Sequence, residues 1–177
     1  KIEFEKSMKW ADRTFRFARP IKWFVTLLGT EVLPFEFEGL KGGNKTRGMR
    51  YFAPQDVEIS NPDEYVSKLR ENSVIARKAE RKAEILKSIK ENCENDGDVA
   101  IINNYLLEEV VNLVEYPFAI KGEFNPDYLD LPEDIITITM ETHQRYFPVK
   151  DANGRLTNKF IVIRNAPEYS EVVKKGN

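Results

Sequence analysis

The sequence predicts an α+β fold with antiparallel or mixed sheets and about four helices, because strand and helix patterns occupy different parts of the chain. Short runs typical of strands cluster towards both ends, and amphipathic helical periodicity fills the middle. A doubly wound parallel sheet would instead alternate strands with helices throughout. No repeat or linker rich in Pro, Gly or Ser divides the 177 residues, so we expect a single domain over 1–177.

The N-terminal strands are predicted on either side of a turn at Gly29 and Thr30. Residues 22–28 and 31–38 are rich in aromatic and aliphatic side chains and are separated by little more than this pair. A further short strand is expected at VEIS, residues 57–60. These segments indicate a small sheet in the first third of the chain.

Four helices are predicted in the middle, at 61–71, 76–93, 105–115 and 132–143. The first begins with Asn as N-cap followed by Pro, a strong start signal. The second carries apolar side chains at helical spacing, and its predicted buried stripe comprises Ile75, Ala79, Ala83, Leu86, Ile89 and Cys93. The fourth contains a β-branched run that favours a strand, but its Pro followed by two acids favours a helix, which we expect.

Strands are predicted again after the third helix. FAIKGEF, residues 118–124, is one strand, and 145–150 and 159–164 are two more. The sequence Asp-Ala-Asn-Gly at 151–154 supplies a hairpin turn between the last two strands.

A single cysteine and a single histidine limit the chemistry. Neither an internal disulfide nor a cysteine-based zinc site can form, and the spacing around Cys93 predicts that it belongs to the core. We expect no catalytic residue, no metal and no cofactor in this chain.

No apolar run has the roughly 20 residues that a membrane span needs, so no membrane partner is expected. Because the chain begins with Lys, we expect a segment of a longer protein.

Charge is distributed unevenly along the chain. Residues 1–50 carry eleven Lys or Arg and six Asp or Glu, whereas 91–141 carry thirteen acids and one base, Lys121. The basic stretch favours a polyanionic partner. The acidic stretch is expected to face solvent, a basic partner domain or the protein's own basic segments.

The glycine-rich stretch GLKGGNKTRG, 39–48, holds four of the nine glycines and is expected to be a loop with unusual backbone angles. It matches neither of the usual glycine motifs for nucleotide phosphates. From 41 to 55 there is no acid, and bases stand beside aromatics: Lys41, Lys45, Arg47 and Arg50, then Tyr51 and Phe52. This composition is typical of a loop that contacts phosphates, although a solvated turn has it too.

The stretch TMETHQRYF, 139–147, holds the histidine. Helical spacing places His143 beside the apolar side, so we expect it to be partly buried and bonded to a backbone carbonyl; the alternative is a general base or a ligand contact. No known motif pairs it with a serine or cysteine nucleophile. Gln144 and Arg145 are better candidates for polar contacts with a partner, because the helix gives way to a strand there.

Two further sets of residues each have two interpretations. In KSMKWADRTFRFARPIKW bases alternate with aromatics, which suits nucleic-acid stacking but also suits a strand with an aromatic core face. We expect the aromatics to be core and Arg13 or Arg16 to be free for a partner. Glu115, at the end of the third helix, opposes the helix dipole, which predicts a structural ion pair with an arginine rather than catalysis.

Read in order, seven segments resemble the beta subunits of bacterial heterotetrameric glycyl-tRNA synthetase. They are MKW, FRFARPIKW, LLG, TRGMRYF, LLEEVVNLVEYP, HQRYFPV and NKFIVIRN. Where that family usually reads Gly-His-Arg-Phe, this chain has Met49 in place of the histidine, so from this motif the resemblance carries over Arg50 alone. From the other motifs it suggests Arg19, Glu115, Gln144 and Arg145 as polar positions.

The resemblance implies an α+β module similar to the editing-type domain in the beta subunit of phenylalanyl-tRNA synthetase. In the family the alpha subunit carries the site for ATP, Mg and glycine, and the beta subunit recognises and positions tRNA. The expected function is therefore a cytoplasmic, noncatalytic tRNA-binding and scaffolding module of glycine–tRNA ligase, inactive alone. Its expected partners are glycine-specific tRNA, the alpha subunit and the remaining beta-subunit domains.

The residues expected to bind tRNA are Arg19, Lys41, Lys45, Arg47, Arg50, Gln144 and Arg145. Two alternative functions stay open from the sequence. One is hydrolytic editing of mischarged tRNA, and the other is a purely structural module that docks other parts of the complex.

Overall fold

The computed structural model of the chain describes residues 6–9, 15–94 and 97–165, and the contacts group into two compact units, Lys1–Asn72 and Ser73–Asn177. In the described residues, four α-helices accompany sheets that are antiparallel except for one parallel pair, which confirms the predicted α+β class. The single domain and the likeness to an editing-type domain stay predictions. Within the described ranges no helix combines the length and the apolar character needed to cross a membrane.

The first unit consists of short strands followed by one α-helix. The strands are β1 Met8–Lys9, β2 Arg16–Phe17, β3 Phe24–Val25, β4 Leu27–Leu28, β5 Glu31–Val32, β6 Glu36–Phe37, β7 Leu40–Gly43, β8 Lys45–Arg47 and β9 Asp56–Glu58. Antiparallel pairs join β1 to β2, β4 to β5, β6 to β7 and β8 to β9, while β3 runs parallel to β7. The predicted turn between β4 and β5 is confirmed, with Gly29 at a φ of 59°.

The glycine-rich stretch 39–48 is not the loop that the sequence predicted. It forms β7 and β8, and of its residues only Gly39 has a positive φ. Two of its other glycines are required by close packing: an added Cβ would lie 2.3 Å from the hydroxyl of Thr26 at Gly42, and 2.4 Å from the carbonyl oxygen of Asn72 at Gly48. Lack of space, rather than backbone bending, explains these two glycines.

An aromatic cluster provides apolar packing in the first unit. The ring of Phe24 meets those of Phe35 and Phe37 edge to face at 5.0 and 6.2 Å, and Phe15 meets Phe37 at 4.7 Å between centroids. Of the N-terminal aromatics predicted to be core, Phe15 and Phe17 pack against other rings but are only half-buried. Trp23 is 40% exposed, which corrects the prediction for that residue.

Helix α1, Tyr65–Glu71, begins as predicted after a 3₁₀ turn at Pro62–Glu64. The Asn61 side chain accepts from the N–H of Asp63 at 3.0 Å, and the Glu64 carboxylate accepts from the N–H of Asn61 at 3.3 Å. This capping box satisfies backbone donors at the helix start. A further hydrogen bond from the backbone of Ser60 lowers the pKa of Glu64.

The second unit contains a four-stranded antiparallel sheet with helices packed on it. In spatial order the strands are β10 Val99–Ala100, β12 Tyr146–Lys150, β13 Leu156–Asn165 and β11 Pro117–Glu123. The helices are α2 Lys78–Glu94, α3 Asn104–Leu113 and α4 Glu133–Ile138, with a 3₁₀ segment at Pro126–Asp130 and π-helical turns at Thr139–Gln144 that continue α4. The predicted fourth helix is confirmed despite its β-branched residues.

The core of the second unit lies between α2, α3 and the sheet. Ile89 of α2, Val111 of α3, and Phe147 and Ile161 of the sheet are buried together. Cys93 is buried in the same cluster, as predicted.

The buried face of α2 is rotated relative to the predicted stripe. Three predicted core members are exposed: Ala79, Ala83 and Leu86. Ile85, outside the stripe, is fully buried. Arg81, which is also outside the predicted stripe, donates hydrogen bonds of 2.6 to 3.2 Å to three backbone carbonyls, including that of Val111. An arginine is tolerated on the packed side because these carbonyls satisfy its donors.

Candidate nucleic-acid interface

Lys45 and Arg47 lie on one exposed face of β8, because side chains alternate along a strand and Thr46 between them is buried. Each stands opposite an acid of β9, Lys45 opposite Glu58 and Arg47 opposite Asp56. The Nε of Arg47 donates to Asp56 at 3.1 Å, whereas Lys45 has no ion pair with a described residue. Lys45 is therefore the more available of the two cations.

Arg47 is fixed further by Trp23. Its guanidinium carbon lies 5.5 Å from the centroid of the indole, whose Nε1 donates to Thr46 Oγ1 at 3.3 Å. The guanidinium of Arg47 is thus paired with the Asp56 carboxylate, and its planar face lies over the Trp23 ring. Of the four bases predicted in this stretch, it is the least available to a phosphate.

Arg50 stands on a turn that is anchored by buried neighbours. The N–H of Met49 donates to the Asn72 carbonyl at 2.9 Å, the N–H of Ala53 donates to the Met49 carbonyl at 2.8 Å, and both Met49 and Ala53 are buried. Gly48 completes the anchor, since no side chain would fit beside Asn72. Arg50 itself is exposed and has no hydrogen bond or ion pair with another described residue.

The turn presents aromatic faces beside this cation. The guanidinium carbon of Arg50 lies 5.8 Å from the ring centroid of Tyr51, which is 83% exposed, and Phe52 is 42% exposed. An exposed cation and exposed aromatic rings therefore stand side by side on one anchored turn, a combination that is typical of surfaces that contact phosphates and bases. Met49, where the resembling family has histidine, is a buried anchor of that turn.

Lys41 and Arg19 are exposed elsewhere in the first unit. Lys41 lies on β7 opposite Glu36 of β6, but no ion pair joins them. Arg19, which follows β2, has no hydrogen bond or ion pair with a described residue. Both side chains are available to an external anion.

Of Arg13 and Arg16, one of which was expected to be free for a partner, the structure describes only Arg16. Arg16 donates to the carbonyl oxygen of Ser7 at 2.8 Å across the β1–β2 pair, so it is not free. Arg13 and the neighbouring aromatic Trp10 lie outside the described residues.

In the second unit, Arg145 has an intramolecular ion-pair partner. It adopts the left-handed conformation, φ 58° and ψ 40°, directly after the π-helical turns. Its Nε donates to a carboxylate oxygen of Glu109 at 2.7 Å. Gln144, its neighbour, is exposed and lines an apolar cavity of about 300 Å³. Of the two predicted contacts, Gln144 is the one without a described partner.

His143 is exposed, which corrects the prediction of a partly buried histidine bonded to a backbone carbonyl. It makes no hydrogen bond with a described residue. The prediction extended α-helical spacing through the segment, but the chain changes to π-helical turns at Thr139, where each turn takes more residues. The apolar side of this helical segment therefore ends at Met140, which is buried, and does not extend to His143.

Glu115 has no ion pair with a described residue, so the predicted arginine partner is not found there. Helix α3 ends at Leu113, so Glu115 lies outside the helix, directly after the C-cap Val114. Its backbone instead joins other segments, donating to the Asn165 side chain at 2.8 Å and accepting from the N–H of Ile75 at 2.9 Å. Within α3 it is Glu109 that pairs with an arginine, Arg145.

Part of the acidic stretch is neutralised by lysines of the same unit. Asp98, 9% exposed, accepts from Lys121 at 3.1 Å and from Lys159 at 2.9 Å. Burial by itself raises the pKa of Asp98, but the hydrogen bonds from Lys159 and Lys121 outweigh it and hold the pKa below its usual value. Glu108 bridges two lysines of α2 at 2.7 and 2.8 Å, and their hydrogen bonds lower its pKa to about 2.

Comparison with known proteins gives a consistent result. A family model described as glycyl-tRNA synthetase beta subunit matches residues 1–177. The chain is 47% identical over 177 residues to the glycine–tRNA ligase beta subunit of Dictyoglomus turgidum, 46% to that of Dictyoglomus thermophilum and 45% to that of Shouchella clausii. These matches cover 99% of the chain but 25–26% of each relative, so the chain spans about a quarter of their length.

Proposed function

The chain belongs to the family of glycyl-tRNA synthetase beta subunits, and from that premise we propose that it is a noncatalytic tRNA-binding module of a glycine–tRNA ligase. In this proposal it holds and positions glycine-specific tRNA in the cytoplasm and serves as a scaffold for the remaining beta-subunit domains. ATP-dependent attachment of glycine, with ATP and Mg, belongs to the alpha subunit. The chain alone is expected to show no aminoacylation.

The observation that supports tRNA binding best is the anchored turn that carries Arg50 and Tyr51. Arg50 has no described acid as partner, and the 83% exposed ring of Tyr51 lies beside it. Because Met49 is buried and hydrogen-bonded to Asn72, the turn keeps its conformation without a ligand. A preformed site binds without the cost of ordering a loop.

The other cations have graded roles in this proposal. Lys41, Lys45 and Arg19 are exposed without a described ion pair, and they add long-range attraction for the phosphate backbone. Arg47 shapes the strand pair through Asp56 and Trp23 rather than contacting RNA.

Binding of glycine-specific tRNA to the chain at low salt, measured by fluorescence anisotropy, tests the proposal. Tyr51→Ala is expected to weaken binding by about 1–3 kcal/mol if a base stacks on the ring. Arg50→Ala is expected to weaken it several-fold. The matched control is Arg77→Ala, an arginine of the second unit whose side chain is 68% exposed. Equal affinities for the Arg50 and Arg77 variants would remove the turn from the site.

Editing hydrolysis gains no support from the surroundings of His143. The imidazole is exposed, and no described serine, threonine or cysteine side chain is hydrogen-bonded to it. The same preparation, incubated with mischarged tRNA, is expected to leave the aminoacyl ester intact. Deacylation that is lost in His143→Ala would reverse this conclusion.

A further inference from the structure

Large apolar side chains are exposed along one segment of the second unit. Five of them, between 37% and 57% exposed, define the 128–138 surface: Tyr128, Leu129, Leu131, Ile135 and Ile138. Single exposed apolar residues are ordinary on proteins, whereas a contiguous group marks an interaction site. Of the residues expected to bind tRNA, Gln144 alone lines the cavity beside this surface, and the tRNA proposal does not rest on it.

The 128–138 surface borders a cavity of about 300 Å³ with an almost wholly apolar lining. The wall includes Phe124, Tyr128, Ile135, Met140, Tyr146 and Phe160. Tyr146 and Phe160 stack at 4.3 Å with their planes 5° apart, and Phe160 covers Gly122, where an added Cβ would lie 2.5 Å from the ring. The wall is thus held by the sheet itself, and the cavity has room for a large apolar side chain.

The segment that carries this surface is negatively charged, although Arg155 lines a neighbouring groove together with Leu129 and Leu131. From 122 to 144 the chain has six Asp or Glu and no Lys or Arg. Glu133 is paired with Lys150 at 2.9 Å, but Asp130 and Asp134 are exposed and have no ion pair with a described residue. Such surroundings repel a nucleic acid and attract a basic group.

We propose that the 128–138 surface docks a polypeptide segment in which a large apolar side chain is flanked by Lys or Arg. The apolar side chain enters the cavity between Ile135 and the stacked pair, and the basic residues meet Asp130 and Asp134. An apolar anchor in a preformed pocket supplies the affinity, and the charges at the rim select the partner. The inference is independent of tRNA binding, because it uses different residues and the opposite charge.

The test uses the full chain and a fluorescein-labelled amphipathic helical peptide with leucines on one face and lysines beside them. Its twin carries glutamates in place of the lysines. We expect the lysine peptide to bind and the glutamate twin to bind far more weakly. Leu131→Ser with Ile135→Ser should weaken binding about tenfold or more. Asp130→Asn with Asp134→Asn should weaken it several-fold and flatten its salt dependence.

The control is Leu113→Ser, a residue of α3 that is 51% exposed and does not line the cavity. It should leave peptide binding unchanged, and thermal unfolding of each variant shows whether the fold is kept. The proposal is overturned if both peptides bind equally, if neither binds, or if Leu113→Ser acts like the cavity variants. It is also overturned if the cavity variants abolish self-association or tRNA binding instead.

Discussion

The Nε of Arg145 lies 2.7 Å from a carboxylate oxygen of Glu109 and so connects the residue before β12 to helix α3. Arg145 also occupies the left-handed region, which costs a residue with a Cβ about 1–2 kcal/mol. The ion pair helps to hold this unfavourable conformation. A side chain that the sequence assigned to a partner is therefore engaged within the fold.

This relationship predicts a measurable coupling between the two side chains. In a double-mutant cycle of Arg145→Ala and Glu109→Ala, we expect an interaction free energy of about 0.2–1 kcal/mol by urea unfolding, because both are partly exposed. The comparison pair is Lys90 and Glu94, with side chains 76% and 58% exposed, for which the coupling should be smaller. A coupling of zero between Arg145 and Glu109 would contradict the assignment.

Asp98 predicts an acid-dependent loss of stability. Its pKa in the folded state lies below the usual 3.8, so its contribution is complete above that value and is lost as the pH falls through the folded pKa. Asp98→Asn should destabilise the second unit by on the order of 3 kcal/mol at pH 7, because two lysines lose a buried counter-charge. The free energy of unfolding, measured with urea between pH 7 and about 3, should depend less on pH in Asp98→Asn than in Asp134→Asn, an exposed control.

Glu108 predicts a titration midpoint far from that of an ordinary glutamate. Carboxyl ¹³C NMR should place its pKa at about 2, against the usual 4.5, because Lys78 and Lys82 hydrogen-bond to the carboxylate. Replacing both lysines by Ala should return the midpoint towards 4.5. Salt should raise the pKa in the unmodified chain by screening the pair. A midpoint unaffected by the two substitutions would mean that another group causes the shift.

The packing at Gly48 predicts a large difference between two glycine substitutions. Gly48→Ala places a Cβ 2.4 Å from the Asn72 carbonyl oxygen and 2.8 Å from Ala53, which should cost about 1–3 kcal/mol of stability. Gly43→Ala, with nothing within 4 Å of the added carbon, is the matched control. The Gly48 variant should also weaken tRNA binding, because it shifts the turn that carries Arg50. Equal stabilities for both variants would contradict the close packing.

The elements predicted correctly carry their signals locally. The capping box of Asn61 and Glu64 begins the 3₁₀ turn that leads into α1, and the turn at 151–154 places Lys150 opposite Leu156 in the last hairpin. Each such signal is complete within a few residues, so the sequence suffices to identify it. These signals, with the helical periodicity, determine the α+β class.

The elements predicted wrongly depend on residues distant in sequence. Gly42 and Gly48 were interpreted as loop glycines, but their reason is the approach of Thr26 and Asn72. The π-helical turns after α4, which expose His143, leave no clear local pattern. Packing partners of this kind are fixed only when the strands and helices assemble.

The same limit applies to the candidate site. Composition identified the basic stretch 41–50 but not which cations are available. Arg47 meets Asp56 nine residues away, and Arg145 meets Glu109 36 residues away. The exposed pair of Arg50 and Tyr51 was closest to prediction, because its two members are adjacent in the chain.

The salt dependence of tRNA binding tests the central claim most directly. For the unmodified chain, the logarithm of the association constant should fall linearly with the logarithm of salt concentration, and Arg50→Ala should reduce the slope by about 0.7–0.9 for one lost phosphate contact. Arg77→Ala should leave the slope unchanged. A flat response in the unmodified chain, or the same slope with and without Arg50, would contradict phosphate binding at this turn.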